Sequence, residues 1–208
     1  MANPDTPYGL KPVRHRLGVP LSATVRPYYV PSTYATALFV GDAVIKTGTA
    51  NTANVNGFVG GEYRIGTLPE INFVTVGDGN RITGVITGFL ASSRDSYVYG
   101  PASTERIALV CDDPFVEFEI QADGAIPATS IGLNAVLIAT HSGSTTTGLS
   151  GLELDTTSDA PAADASNQLL ILRAVNRPDN DTTLTHAKVE VLINQHTENQ
   201  GTVGTLGI

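Results

Sequence analysis

The chain has 208 residues, 20 of them acidic and 12 basic, and a formal net charge of −8 at pH 7. Its single cysteine excludes an internal disulfide framework, and no apolar run reaches the roughly 18–20 residues that cross a membrane as a helix. Only 15% of the residues are charged, well below the roughly 25% of typical globular domains. This composition favours a protein whose surface is partly covered by partners.

The first 34 residues differ in composition from the rest of the chain. They hold six of the twelve prolines, and four basic residues against one acidic residue, whereas residues 35–208 hold eight basic against nineteen acidic residues. Proline fixes φ, lacks an N–H and pushes the preceding residue toward extended geometry, so we expect neither a helix nor a central strand here. The pattern predicts an extended basic arm, residues 1–34, on an acidic body, residues 35–208.

We expect this arm to bind a neighbouring protein rather than nucleic acid. Its four cations are sparse, and no run of lysines and arginines forms the usual basic footprint. Tyrosine and arginine suit protein contacts, because they combine apolar area with hydrogen bonds to polar or carboxylate groups. The expected contact residues are Tyr8, Lys11, Arg14, Arg16, Arg26, Tyr28, Tyr29 and Tyr34. For residues 24–34 an alternative stays open: an ordinary edge strand of the body, with its tyrosines in the core.

The remaining patterned segments are short and rich in β-branched residues, which predicts strands separated by turns. Phe115–Gln121 alternates apolar and polar side chains, so it is predicted to bury one face and expose the other. The candidate strands are Thr24–Val30, Ala37–Lys46, Ile71–Val76, Arg81–Ala91, Glu105–Cys111, Phe115–Gln121, Ala135–Thr140, Gln168–Asn176 and His186–Gln195. No apolar stripe with the helical period of 3.6 residues continues for three turns, so the fold class is all-β.

Turn residues between these strands predict three antiparallel pairs. The expected pairs are Ile71–Val76 with Arg81–Ala91, Glu105–Cys111 with Phe115–Gln121, and Gln168–Asn176 with His186–Gln195. Two stretches without periodicity, 47–56 and 142–166, are predicted as flexible loops. Short strands at regular turn spacing indicate a body that is a β-sandwich, a jelly roll or a β-barrel, with the proline-rich arm attached.

The sequence shows no catalytic or metal-binding motif. No two of the four histidines lie three or four residues apart and no cysteine pair accompanies them, so no metal site is predicted. Cys111 lies in an apolar run and is predicted as a buried, inert thiol. The acidic runs 112–113 and 179–181 lack the spacing of a calcium-binding EF-hand loop and are predicted to cap turns. We expect a protein that is not an enzyme and needs no cofactor.

Four segments of the chain carry a resemblance to known proteins: Asn3–Pro12, Leu38–Val44, Asp112–Gln121 and Val189–His196. They resemble segments of small structural proteins that tailed bacteriophages encode near the major capsid gene, the capsid cement or decoration proteins. The resemblance implies an all-β protein on the outer surface of the virion that clamps neighbouring subunits of the major capsid protein. It also implies self-association, as a homo-trimer or a dimer. We therefore expect the protein to be made in the host cytoplasm. We expect neither a membrane nor nucleic acid as a partner.

Two alternative functions remain open. One is another virion role, in the tail or baseplate, although fibre proteins usually show repeats or long coiled coils and this chain has neither. The other is a surface adhesin or carbohydrate-binding β module with 142–166 as its recognition loop. The absence of tryptophan counts mildly against sugar binding.

Overall fold

The structure, a computed structural model, describes residues 2–57 and 61–198. Within them the chain forms β-strands and two short 3₁₀ helices, Leu21–Thr24 and Ala128–Ser130, with no α-helix, which confirms the all-β prediction. The strands are β1 (Lys11–His15), β2 (Val25–Val30), β3 (Ala43–Ala50), β4 (Val55–Gly57), β5 (Gly61–Tyr63), β6 (Pro69–Phe73), β7 (Gly84–Phe89), β8 (Arg106–Cys111), β9 (Val116–Gln121), β10 (Asn134–Ala135), β11 (Leu137–Ile138), β12 (Glu153–Leu154), β13 (Leu169–Ala174) and β14 (Lys188–Ile193). Among the described residues, no helix has the length and apolar character that a membrane span requires.

Most of the strands belong to a barrel or to an open sheet. In the order β2, β6, β3, β7 and β8 they close into a five-stranded barrel, and β1, β9, β14, β13 and β10 form an open five-stranded sheet. Two smaller sheets pair β11 with β12 and β4 with β5. The barrel contains one parallel pair, β2 with β6, and its other pairs are antiparallel. Closure protects the barrel strands from pairing with other chains, whereas the open sheet keeps two edges.

The inner face of the open sheet packs on the outside of the barrel. Alternate side chains of β9 and β14 point into this layer, and Phe118 and Val191 are fully buried there. The same apolar cluster includes Val85 of β7 and Cys111 of β8, so the barrel and the sheet share a core. A second cluster fills the barrel around Tyr28 and other apolar side chains. Burial of one such large side chain contributes roughly 1.5–3 kcal/mol.

Residues 2–34 lie on the chain's own body, which corrects the prediction of an arm directed at a neighbour. β1 pairs antiparallel with β9 at the edge of the open sheet, and β2 pairs with β8 along its six residues. Leu10 is 1% exposed, and its N–H donates to the carbonyl oxygen of Gly41 at 2.9 Å. The physical reason is that Pro12 lies in an edge strand, where a missing N–H is tolerated. Residues 25–30 form a strand, as predicted for Thr24–Val30, and it belongs to the body with Tyr28 in the core, as the alternative for residues 24–34 had it. The strand lies inside the barrel rather than at an edge, because it pairs with both β8 and β6.

One of the three predicted strand pairs is confirmed and two are wrong. β13 and β14 pair antiparallel, as expected for Gln168–Asn176 and His186–Gln195. β6 and β7 do not pair, because β3 lies between them in the barrel. β8 belongs to the barrel and β9 to the open sheet, so the turn at Asp112–Pro114 carries the chain from one to the other. The stretches 47–56 and 142–166 also contain strand residues, and Leu152 and Leu154 are buried in the core.

Candidate functional site

The residues expected to contact a partner bind mostly to their own chain. Tyr28 is 3% exposed, and its hydroxyl donates to a carboxylate oxygen of Asp112 at 2.8 Å. The Tyr8 hydroxyl donates to Glu119 at 2.7 Å. The other contacts are Arg14 and Arg16 with Glu117, Arg26 with Asp112, Tyr29 with Glu105, and the backbone N–H of Phe73 with the Tyr34 hydroxyl. Lys11 lies exposed on β1. Seven of the eight residues therefore make hydrogen bonds within their own chain, at separate places, and the eighth, Lys11, points into solvent.

The pKa values of three tyrosines agree with these hydrogen bonds. Burial, followed by the hydrogen bond to a neighbouring carboxylate, raises the pKa of Tyr8 and Tyr28 well above the usual range. The same causes raise the pKa of Tyr29 to about 12. All three are neutral phenols at physiological pH, and they donate to the carboxylates of Glu119, Asp112 and Glu105.

Arginines cover the glutamates on the outer face of the open sheet. The side chain of Glu117 is only 5% exposed, although its place in the alternating pattern predicts a wet face. Arg14 Nε lies 2.6 Å from one of its oxygens and Arg16 Nε 3.2 Å from the other, and Arg173 also contacts the carboxylate. Burial of a carboxylate without partners costs free energy, and the three arginines supply these partners. Their charge-assisted hydrogen bonds also hold β1 against β9 and β13.

Exposed apolar side chains form a first patch at the turn after β1. Leu17 is 71% exposed, Val19 40% and Phe115 48%. The turn after β1 is held against the residue that precedes β9, because the N–H of Arg16 donates to the carbonyl oxygen of Phe115 at 2.9 Å. A shallow groove of about 220 Å³ beside Phe115 is lined by Leu170 and Leu192 as well. We call Leu17, Val19 and Phe115 the turn patch.

A second apolar patch combines residues from the segment between β7 and β8 with Leu149, which lies between β11 and β12. Tyr97 is 62% exposed, Val98 57% and Leu149 39%. The ring of Tyr97 meets the edge of Tyr99, which in turn stacks on Phe39 at 5.2 Å between centroids. We call Tyr97, Val98 and Leu149 the loop patch. Contiguous exposed apolar surface of this kind commonly marks a binding site.

The two patches lie beyond opposite ends of β8. The guanidinium of Arg106, the first residue of β8, donates to the carbonyl oxygen of Tyr97 at 3.3 Å. Phe115 follows Cys111, the last residue of β8, by four positions. A strand of six residues is about 20 Å long, at about 3.3 Å per residue. The molecule therefore presents two separate apolar contacts rather than one.

Several smaller predictions concern the acidic turns and the cysteine. Cys111 is buried, as predicted, and burial raises the pKa of its thiol. A carboxylate oxygen of Asp113 accepts the N–H of Phe115 at 2.8 Å, and one of Asp181 accepts the N–H of Thr183 at 3.0 Å. These contacts confirm that both acidic runs cap turns.

One group of polar residues was not predicted from the sequence. Asp5, His141 and Glu153 place a potential ligand atom each within 4.8 Å of one another, and His186 lies beside them. They are the residues within the described part of the chain that could hold a metal ion. The smallest separation among them is twelve residues, so no local motif signals the group.

The fold and surface define an all-β protein with a barrel, an open sheet and two exposed apolar contacts. No protein-family model matches the sequence, and neither a curated protein nor a solved structure shows detectable similarity to the chain.

Proposed function

We propose that this chain is a non-enzymatic virion structural protein that binds the exterior of an icosahedral phage head and cements neighbouring major capsid subunits. The observation that carries the proposal is the pair of exposed apolar patches beyond opposite ends of β8. A protein that joins two subunits needs two contact surfaces held at a fixed separation. The resemblance of four segments to phage cement proteins supports the same function.

The contact surface in this proposal differs from the extended arm predicted from the sequence. In the N-terminal segment, the hydroxyls of Tyr8 and Tyr28 bind carboxylates of their own chain, so we do not rely on them as partner contacts. Leu17 and Val19 belong to the same segment but point into solvent. The turn patch therefore takes the place of the arm as the binding element near the N-terminus.

Physical considerations favour apolar anchors for a cementing role. Packed DNA pushes the shell outward, and each bridging contact raises the free energy needed to separate two subunits. Aromatic side chains such as Phe115 and Tyr97 contribute strongly to interfaces, because they bury a large area with few rotatable bonds. Once one patch is bound, the second binds at a high effective concentration. Association of the protein with itself, as a trimer or a dimer, would multiply this effect.

The test measures binding to purified phage heads that lack this protein. The double variants Leu17→Glu/Phe115→Glu and Tyr97→Glu/Val98→Glu each place charge on one patch. We expect each to bind at least about tenfold more weakly than the wild type in co-sedimentation, since a desolvated anchor typically contributes more than 1 kcal/mol. Leu184→Glu is the control, because Leu184 is an exposed leucine, 39% exposed, that belongs to neither patch.

Circular dichroism should show the same fold for all variants, because the substituted side chains lie largely in solvent. Wild-type binding by both patch variants would contradict the proposal. Equal loss in the Leu184→Glu control would also contradict it, because binding would then not depend on the patches.

A further inference from the structure

Two carboxylates and two imidazoles converge on the side of the molecule where the N-terminal segment begins. His141 Nε2 lies 3.4 Å from Glu153 Oε2 and 4.0 Å from Asp5 Oδ1. His186 Nδ1 lies 3.6 Å from the same oxygen of Asp5 and 4.0 Å from Glu153 Oε1. The four contacts form a closed ring in which imidazoles and carboxylates alternate, with Glu153 using a different oxygen for each histidine.

Two of these groups lack the partners that their burial requires. The side chain of Glu153 is 1% exposed, and among the described residues its neutral side-chain donor is the amide of Gln121, at a long 3.4 Å. His186 Nδ1 is shielded from solvent and has no hydrogen-bond partner, yet it faces both carboxylates. The buried carboxylate and the imidazole nitrogen face the same point. A cation bound between them would give each of them a partner.

The surrounding backbone holds the four groups in place. The side chain of Asn3 donates to the carbonyl oxygens of Asp181 and Thr185 at 2.8 and 2.9 Å, which anchors the chain two residues before Asp5. Gln121, the last residue of β9, connects the segment before β1 to β12, because it accepts from the N–H of Thr6 and donates to Glu153. These contacts fix the group before any ligand arrives.

Gly151 allows His141 to reach the site. A Cβ atom at this position would lie 2.3 Å from the carbonyl oxygen of His141, closer than any side chain can approach. Glycine therefore lets the segment that carries His141 pack against the segment that leads to Glu153.

We propose that Asp5, His141 and Glu153 bind a divalent first-row transition metal, with Zn²⁺ the preferred ion, and that His186 completes the donor set. Ligand atoms about 2.1 Å from a tetrahedral zinc lie about 3.4 Å apart, so the distances of 3.4–4.0 Å need only a small contraction. Imidazole nitrogen favours zinc over calcium or magnesium, which take oxygen ligands. The site is accessible, because Asp5 and His141 are both nearly half exposed.

Such an ion would join four separate parts of the chain. Asp5 lies before β1, His141 after β11, Glu153 in β12 and His186 before β14. The metal would fasten the N-terminal segment to the body, since none of these parts is linked to another by a disulfide. This role is structural and does not depend on capsid binding.

The test uses the full chain without a histidine tag, stripped of metal by a chelator. Titration with Co²⁺ should produce the visible absorption of a site with nitrogen and oxygen ligands at one equivalent, and Zn²⁺ should displace the cobalt. Zn²⁺ should also raise the melting temperature, because an ion that binds only the folded state stabilises it.

The variants Asp5→Asn and His141→Ala should bind Zn²⁺ at least about 100-fold more weakly, and His186→Ala should bind more weakly than the wild type. Asp95→Asn, at an exposed site outside the group, should bind like the wild type. Circular dichroism of the metal-free variants checks that they are folded. The proposal is overturned if the wild type binds no stoichiometric metal, or if Asp5→Asn and His141→Ala retain wild-type affinity. Unchanged affinity in His186→Ala would remove that residue from the donor set.

Discussion

Leu10 and Leu17 lie seven residues apart in the N-terminal segment and have opposite surroundings. Leu10 is 1% exposed in the shared core, whereas Leu17 is 71% exposed in the turn patch. We predict that Leu10→Ala lowers the free energy of unfolding by about 2–5 kcal/mol, because it leaves a cavity. Leu17→Ala should change it by less than about 0.5 kcal/mol. Urea unfolding of the two variants measures the difference, and similar values would contradict the placement of this segment in the body.

A second prediction for a single residue concerns Asp42 and the dependence of stability on pH. It is 3% exposed, and burial raises its pKa from 3.8 to about 6, although the N–H of Phe39 donates to it at 2.7 Å. Between these two pH values the folded state keeps a proton that the unfolded state has released. Stability contributed by this group is therefore lost as the pH rises from about 4 to about 6, by on the order of 3 kcal/mol at 1.36 kcal/mol per unit.

The variant Asp42→Asn should remove this pH dependence. Its amide oxygen can still accept the N–H of Phe39, and the side chain is neutral at every pH. Urea unfolding at pH 4, 5, 6 and 7 should therefore show a smaller fall in stability than in the wild type. Asp95→Asn, an exposed control, should follow the wild type. A slope in Asp42→Asn as steep as that of the wild type would show that other groups cause the fall.

At the scale of elements, two glycines test how the N-terminal segment meets the barrel. Gly41 (φ +97°) and Gly48 (φ +87°) both have left-handed backbone, so alanine strains each by roughly 1–2 kcal/mol. A Cβ atom at Gly41 would also lie 2.3 Å from the carbonyl oxygen of Tyr8, whereas one at Gly48 meets nothing within 4 Å.

We predict that Gly41→Ala destabilises the protein more than Gly48→Ala, by at least about 2 kcal/mol, because the segment before β1 must move away. Thermal or urea unfolding of the pair isolates the steric part, since the backbone strain is matched. Equal destabilisation would mean that Tyr8 does not pack against the barrel at this point.

The strands that the sequence predicts well are those with clear alternation and a local partner. β13 and β14 are joined by a polar loop and pair as expected, with Ile171 opposite Val191. The partners of β6 and β7 could not be predicted in the same way, because β3, which precedes both in the chain, lies between them and pairs with each. Strand order in a closed barrel depends on such long-range contacts rather than on turn residues.

Prolines concealed β1 in the sequence and left residues 24–34 open between an arm and a strand, although Thr24–Val30 is a candidate strand. Pro12 lies in β1, an edge strand, and Pro27 lies in β2, which pairs with β8 throughout but meets β6 at Tyr29. Each proline therefore lies in a strand with little or no partner on one side, where a missing N–H is tolerated. Composition alone cannot distinguish such a strand from a free arm.

The candidate sites were hidden for a related reason. The exposure of Leu17 and Phe115 depends on how two turns meet, and apolar residues in turns look like ordinary core residues in the sequence. Asp5 and His186 approach each other across 181 positions, so ligand spacing gives no signal. The sequence lacks a local catalytic motif, but such motifs involve only residues that lie close together in the chain.

At the scale of the whole molecule, the N-terminal segment is predicted to be required for folding. Deletion of residues 2–20 removes β1, the core residue Leu10 and the arginines that cover Glu117. The exposed edge of β9 and a buried carboxylate with fewer partners should then promote aggregation. We expect the truncated chain to lose cooperative thermal unfolding in circular dichroism and to elute as aggregates. A monodisperse, folded product with the wild-type melting temperature would contradict this.

The most direct test of the proposed capsid function is electron cryomicroscopy of heads from a phage that carries the gene for this chain, which the proposal requires to exist. Heads with and without the protein would be compared in a difference map. The account predicts density on the outer surface of the shell that contacts two adjacent major capsid subunits, with the turn patch and the loop patch at the two contacts. Identical maps, or density confined to the tail or baseplate, would contradict it.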